Sequence, residues 1–168
     1  MGAVADTVIT YIRGNQYIRH VPQKQGVASA AAHGLVGKLQ VGGYEFETME
    51  RMDGYVHMAG DQDYTPSTMY WHKKYDSYVI NPWLGKDAEA TKKKNILFHP
   101  ASRPHHLEGC VGVGLFDPDG KMAESIPCLT LIWKLCGGPV GAESGSVSFL
   151  LRVVGKMKPK SECTPWSL

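Results

Sequence analysis

Cysteine is scarce in this 168-residue chain, and no two of its cysteines stand in a CxxC spacing. Cys110, Cys128, Cys136 and Cys163 all fall in the second half of the chain, which argues against a zinc ribbon or a small disulfide scaffold. An excess of one charge is also lacking. The chain carries 18 basic and 16 acidic residues, a net charge of +2, with the basic residues scattered. That is a poor footprint for a dedicated nucleic-acid binder, so no nucleic-acid partner is expected. No run approaches the ~20 apolar residues of a membrane-crossing helix, so no membrane partner is expected either. The opening Met1-Gly2-Ala3-Val4-Ala5-Asp6 has neither the basic start nor the apolar stretch of a signal peptide. Asp6 stands where a myristoylation motif carries Ser or Thr. The expected location is a cytoplasm, where thiols stay reduced. No internal repeat is visible.

Hydrophobic residues make up 43% of the chain and charged residues 20%, enough apolar material for one packed core. Strand signals dominate it. Thr7 to Arg13 is rich in β-branched and aromatic residues, and Gln16 to Val21 follows Gly14-Asn15, so a hairpin is expected there. Leu35 to Val41 alternates apolar with polar residues, and Gly42-Gly43 turns it into Tyr44 to Met49. Glu50 and Arg51 are expected to form a structural ion pair. Further strands are expected over Ser67 to Lys74, Tyr78 to Trp83, Asn95 to His99 and Ser146 to Val154. The polar stretch Gly85 to Lys94 reads as a solvated loop. Asp117-Pro118-Asp119-Gly120 reads as a turn, without the later ligands of a calcium loop. One short α-helix is expected near residues 125–136, with Pro127 in its first turn and Gly137-Gly138-Pro139 ending it. The fold class is therefore mainly β, a sandwich or barrel-like sheet with one short helix.

Chemistry concentrates in residues 95–114. His99, His105 and His106 are three of the seven histidines, and Cys110 follows shortly after them. His99 ends an apolar strand and Pro100 turns the chain. Gly109 removes bulk beside the sulfur, and a Val/Gly strand returns. Such a strand-loop-strand path brings an imidazole and a thiol together. A free thiol, with a pKa near ~8.5, is mostly protonated at neutral pH; a neighbouring imidazole that takes its proton yields a nucleophilic thiolate. The base needs a third group to hold its ring, and backbone N–H groups near the sulfur can stabilise an oxyanion. Arg103, in the same loop, suits bidentate binding of a substrate carboxylate. The candidate site is thus Cys110 and His99 as catalytic pair, with Arg103, His105, His106, Glu108 and Gly109 around the substrate. No metal or cofactor is expected, since His99, His105 or His106 and Cys110 match no common zinc spacing.

The string Ile96-Leu97-Phe98-His99-Pro100-Ala101, followed by Leu107-Glu108-Gly109-Cys110, resembles the signature of a phage and bacterial domain family of unknown function. That family typically reads I-L-F/I-H-x-[AG]-N … L-x-G-C-I. Gly37-Lys-Leu-Gln-Val-Gly-Gly43 and Phe46-Glu-Thr-Met-Glu-Arg51 resemble its opening hairpin, a G-x-L strand leading to a T-L-E strand. The resemblance covers roughly residues 34–154. It implies a single β-rich domain over 34–155, preceded by an extension with a hairpin over 1–33 and followed by a tail over 156–168. The His…Gly-Cys order is also similar to the L,D-transpeptidase catalytic domain, a β-rich fold that cross-links peptidoglycan through a cysteine. That likeness implies His99 as general base and Cys110 as nucleophile. Glu108 stands where that family's block carries His, and Val111-Gly112 stands in place of Ile-Arg.

Three functions follow as expectations. The first is a Cys/His enzyme performing acyl transfer or amide hydrolysis on a peptide or cell-wall fragment. The second is a non-catalytic virion module of a phage tail or capsid, whose N-terminal hairpin and C-terminal tail reach neighbouring subunits or other copies of the chain. The third is a small-ligand-binding protein using histidine and arginine. The resemblance makes the compartment the bacterial cytoplasm, or a phage particle after assembly.

Overall fold

Alternating β-branched and aromatic residues make β1 (Val8–His20), which buries Ile9 and Tyr11 completely on one face. The computed structural model describes residues 7–93, 96–139, 141 and 143–167. A small ribbon of β2 (Gln23–Lys24) and β3 (Val27–Ala28) leads into β4 (Ala32–Val41). Gly42 and Gly43 both take positive φ and turn the chain tightly into β5 (Tyr44–Arg51), as a two-residue hairpin loop requires. A second hairpin joins β6 (Gln62–His72) to β7 (Ser77–Asn81) through a 3-10 turn, Lys73–Tyr75. Then come α1 (Ala88–Lys93), β8 (Phe98–His99), β9 (Val111–Phe116), β10 (Met122–Ala123), α2 (Ser125–Leu135), β11 (Ser146–Val154) and β12 (Thr164–Pro165).

The main sheet closes on itself. Its order runs β9-β5-β4-β1-β11-β6-β7-β8, and β8 pairs back onto β9. Closure removes the open strand edges that would otherwise template pairing with another chain. Most pairs are antiparallel; β1–β11, β1–β12 and β8–β9 are parallel. The interior holds Ile9, Tyr11, Leu39, Met69, Ile80, Phe98, Val111 and Leu151. Helix α2 adds Leu129, Ile132 and Trp133 to it, with the Trp133 ring stacked 4.4 Å from Tyr78. The seam is narrow: β8 is two residues long, pairing Phe98 with Val111 and His99 with Gly112.

The fold class agrees with the sequence reading: strands dominate and α2 is the helix expected near 125–136. The hairpin at Gly14-Asn15 does not form. β1 runs straight through, with a register shift against β4 between Arg13 and Tyr17. Both halves of β1 pair with the ten-residue β4, so a continuous partner turns a potential hairpin into a bulge. Gly14 is needed there because a Cβ would sit 2.6 Å from the Val36 carbonyl oxygen. β1 thus lies in the wall of the barrel, with β4 along one side and β11, then β12, along the other. The stretch read as a loop from Gly85 contains α1, whose Ala90 N–H donates to Asp87. Lys94 and Asn95, where that loop ends and the β8 strand was expected to begin, lie outside the described residues, as do residues 1–6. Glu50 and Arg51 do not pair, because adjacent strand residues point to opposite faces. Glu50 instead binds Arg13, and Arg51 binds Asp53.

Candidate active site

Strand alternation sets the site. Phe98 and Val111 face the barrel interior, so Leu97, His99 and Cys110 face outward. There Cys110 joins a second apolar cluster with Met49, Leu97, Leu107 and Met122. The pairing of Phe98 with Val111 and His99 with Gly112 makes His99 and Cys110 diagonal neighbours on adjacent strands. Gly109, at φ +92°, turns the loop back into β9 in a conformation that a side chain would strain. Opposite His99, Gly112 leaves the seam uncluttered; a Cβ there would sit 3.1 Å from Ala101 Cβ and 3.3 Å from Met122 Sδ.

The His99 ring is held from two sides. Its Nδ1 lies 2.7 Å from the Pro100 carbonyl oxygen. A carbonyl only accepts, so Nδ1 carries the proton and Nε2 carries the lone pair. Tyr75 stacks on the ring, with centroids 4.2 Å apart and planes 13° apart. His99 is 4% exposed. Burial holds its pKa below the ordinary histidine value; the Pro100 contact opposes this, and nearby Lys74 and His72 reinforce it. The imidazole is therefore neutral at pH 7, in the tautomer of a general base.

Cys110 is 7% exposed. The Leu97 N–H points at its sulfur, 3.4 Å away. Burial, and then Cys110, raise the pKa of the Tyr75 hydroxyl, so Tyr75 lies beside both candidate residues. A groove of about 620 Å³ runs over this cluster, walled by Tyr75, His99, Ser102, His106, Met122 and the start of α2. Cys110 lies behind that wall and shares Tyr75, Ala101 and Met122 with it.

Of the residues singled out in the sequence, the fold brings together His99, Cys110 and Gly109 at the seam. His106 stands with His99 on the groove wall, its Nδ1 3.3 Å from Ser102 Oγ. His105 and Arg103 belong to an adjoining patch with His20. Glu108 is exposed and does not line the groove. The sequence alone gives no role to Tyr75, His20 or the Pro100 carbonyl. A tyrosine ending a lysine-flanked turn carries no local signal, since only the β6–β7 hairpin delivers it to the seam.

Tyr75 provides a first test of this geometry. In Tyr75→Ala the ring that buries His99 is gone, so the His99 pKa should rise towards the ordinary ~6.5. Tyr75→Phe keeps the stack and should leave it near the parent value. Histidine NMR titration reads both. Equal His99 titration in parent and Tyr75→Ala would remove Tyr75 from the site.

Comparison of the chain with family models, with curated proteins and with solved structures finds no match in any of the three.

Proposed function

We propose that the protein is a Cys/His acyl-transfer or amide-hydrolysing enzyme acting on a peptide or cell-wall fragment bound in the groove at the barrel seam. The observation that carries this reading is the Nδ1 contact of His99 with Pro100. It leaves Nε2 unprotonated on the same outward face as Cys110, one strand away. In the proposed reaction, Nε2 accepts the thiol proton and the sulfur attacks the substrate carbonyl. Main-chain N–H groups around Gly109 and Cys110 receive the oxyanion. Collapse of the tetrahedral intermediate passes the proton from His99 to the leaving amine and leaves a thioester on Cys110. Water or a second amine then attacks the thioester, with His99 again taking a proton, and regenerates the thiol. The Pro100 carbonyl holds the ring throughout, the part a carboxylate plays in a three-residue relay.

The sulfur is enclosed, so substrate reaches it only when its cover gives way. Met122 is the unbranched, most adaptable part of that cover. Met122→Ala is accordingly expected to speed labelling of Cys110 by a bulky maleimide more than labelling by iodoacetamide. Equal acceleration of both reagents would count against Met122 as the gate.

The proposal itself is tested by acyl-enzyme trapping. The parent protein is exposed to p-nitrophenyl acetate and examined by intact-mass and peptide-mapping mass spectrometry. One acetyl group on Cys110, formed in a burst of nitrophenolate and absent in Cys110→Ala, is the expected result. Acetylation confined to Cys163, or unchanged in Cys110→Ala, sinks the enzyme reading.

A further inference from the structure

Next to the groove, two distant stretches of chain gather basic side chains. His20, at the end of β1, stacks on His105 with ring centroids 5.4 Å apart and planes at 19°. The His105 and His106 rings lie 4.1 Å apart with their planes tilted by 54°. Both belong to the 3-10 turn Pro104–His106, which Arg103 immediately precedes. His105 Nδ1 is buried without a hydrogen-bond partner. Among the described residues no carboxylate pairs with Arg103. Asp53 is already engaged by His33 and Arg51. Arg51 also points at the Leu107 carbonyl and the Tyr55 hydroxyl.

Among the described residues, the Arg103 charge at the edge of this patch therefore has no carboxylate partner. Burial and then Arg103 and His106 hold the His20 pKa below its ordinary value. Burial, His106, His20, Arg51 and Arg103 do the same for His105. Like charges at this spacing disfavour one another, and a bound anion relieves them. His106 and Ser102 connect the patch to the groove wall beside His99.

We propose that His20, Arg103, His105 and His106 form a subsite for a carboxylate of the substrate whose amide lies at His99. The inference rests on the reading of the groove as an acyl-transfer cleft and narrows its substrate class. The substrate is a peptide with a free carboxylate, on a side chain or at a C-terminus, close to the reacting amide. Arg103 offers the planar fork that matches a carboxylate with two parallel hydrogen bonds. The imidazole N–H groups complete the ring of donors, with the unpartnered His105 Nδ1 as the donor a carboxylate satisfies.

The test is an NMR titration of the full chain at pH 6.5, following the His20 and His105 ring signals. The probes are succinate, its neutral analogue succinamide, and inorganic phosphate. Saturating shifts with succinate and none with succinamide are expected. Arg103→Gln should weaken succinate binding about tenfold or more. His20→Gln repeats the test from the other stretch of chain, should Arg103→Gln fold poorly. Succinate binding unchanged in both variants overturns the proposal, as does a patch that never saturates. Phosphate binding more tightly than succinate also overturns it, by reassigning the patch to phosphate. The titration reads equilibrium binding, so its failure leaves the Cys110 acetylation result standing. Loss of that acetylation with succinate binding intact removes the enzyme reading alone.

Discussion

Replacing His99 by Gln is expected to slow iodoacetamide labelling of Cys110 at pH 7 by about tenfold or more, and acyl transfer by roughly 10²–10⁴-fold. Only the thiolate reacts, and a thiol left to its own pKa near ~8.5 is a few per cent ionised at pH 7. Glutamine fills the imidazole volume in part but takes no proton. The shape of the pH profile separates base catalysis from a packing defect. His99 is active when neutral, and its pKa lies below the ordinary histidine value because the ring is buried. The parent rate should therefore persist to below pH ~6.5 and fall as His99 protonates. In His99→Gln that lower limb disappears, and the rate climbs only with the thiol's own ionisation at alkaline pH. Cys163, half-buried in the tail with its own pKa raised by burial, sets the background that Cys110→Ala measures. Identical profiles for parent and His99→Gln would end the catalytic proposal.

The same buried imidazole ties stability to pH. Its folded pKa is depressed, so the unfolded chain binds the extra proton first. The stability it contributes is present above the unfolded value of ~6.5 and is lost as pH falls through the lower folded value. Acid unfolding in the parent should begin at a higher pH than in a His99→Gln protein that folds. Urea titrations at stepped pH read the difference.

What was legible in the sequence was local. Alternation marked β4, and Gly42-Gly43 marked its turn into β5 because only paired positive φ angles join strands so tightly. Pro127 and the glycines after Leu135 bracketed α2. His99 ending a strand before proline, and Gly109 before Cys110, located the seam for the same reason. What was not legible depends on partners far along the chain. Whether Gly14-Asn15 turns or bulges is decided by β4. The closure of the barrel rests on a two-residue strand too short to show a period. Tyr75 and His20 reach the site from the β6–β7 turn and the end of β1. The burial of Cys110 follows from Met49 and Met122, neither near it in sequence.

Arg13→Met is expected to destabilise the protein by about 3–5 kcal/mol, a fall in Tm of roughly 6–20 °C for a chain of this size. Arg13 and Glu50 are both fully enclosed as side chains, in a two-point ion pair of 2.9 and 3.0 Å. Arg13 also donates to the carbonyls of Met58, at 2.8 Å, and Gly155, at 3.1 Å, so it ties two loops to the barrel. Tyr11 adds its hydroxyl to Glu50 at 2.5 Å. Burial and then Glu50 push the pKa of that hydroxyl well up, so it stays a donor. Burial works against the charge on Arg13, but Glu50 outweighs it and raises its pKa. Removing Arg13 leaves a buried carboxylate with one neutral donor and strands two carbonyls, which accounts for the size of the loss. Glu50→Gln should also be costly. One amide oxygen can still accept from Tyr11 and Arg13 Nε, but the amide NH2 then faces Arg13 Nη2 and the buried guanidinium loses its counter-charge. The double variant Arg13→Met/Glu50→Leu should recover part of the loss, because neither charge is then buried alone. Thermal melts of Arg13→Met, Glu50→Leu and the double variant form a cycle with the parent. A double variant as unstable as the sum of its singles would show that the two side chains act independently, and the pair would lose its place as the polar tie between β1 and β5.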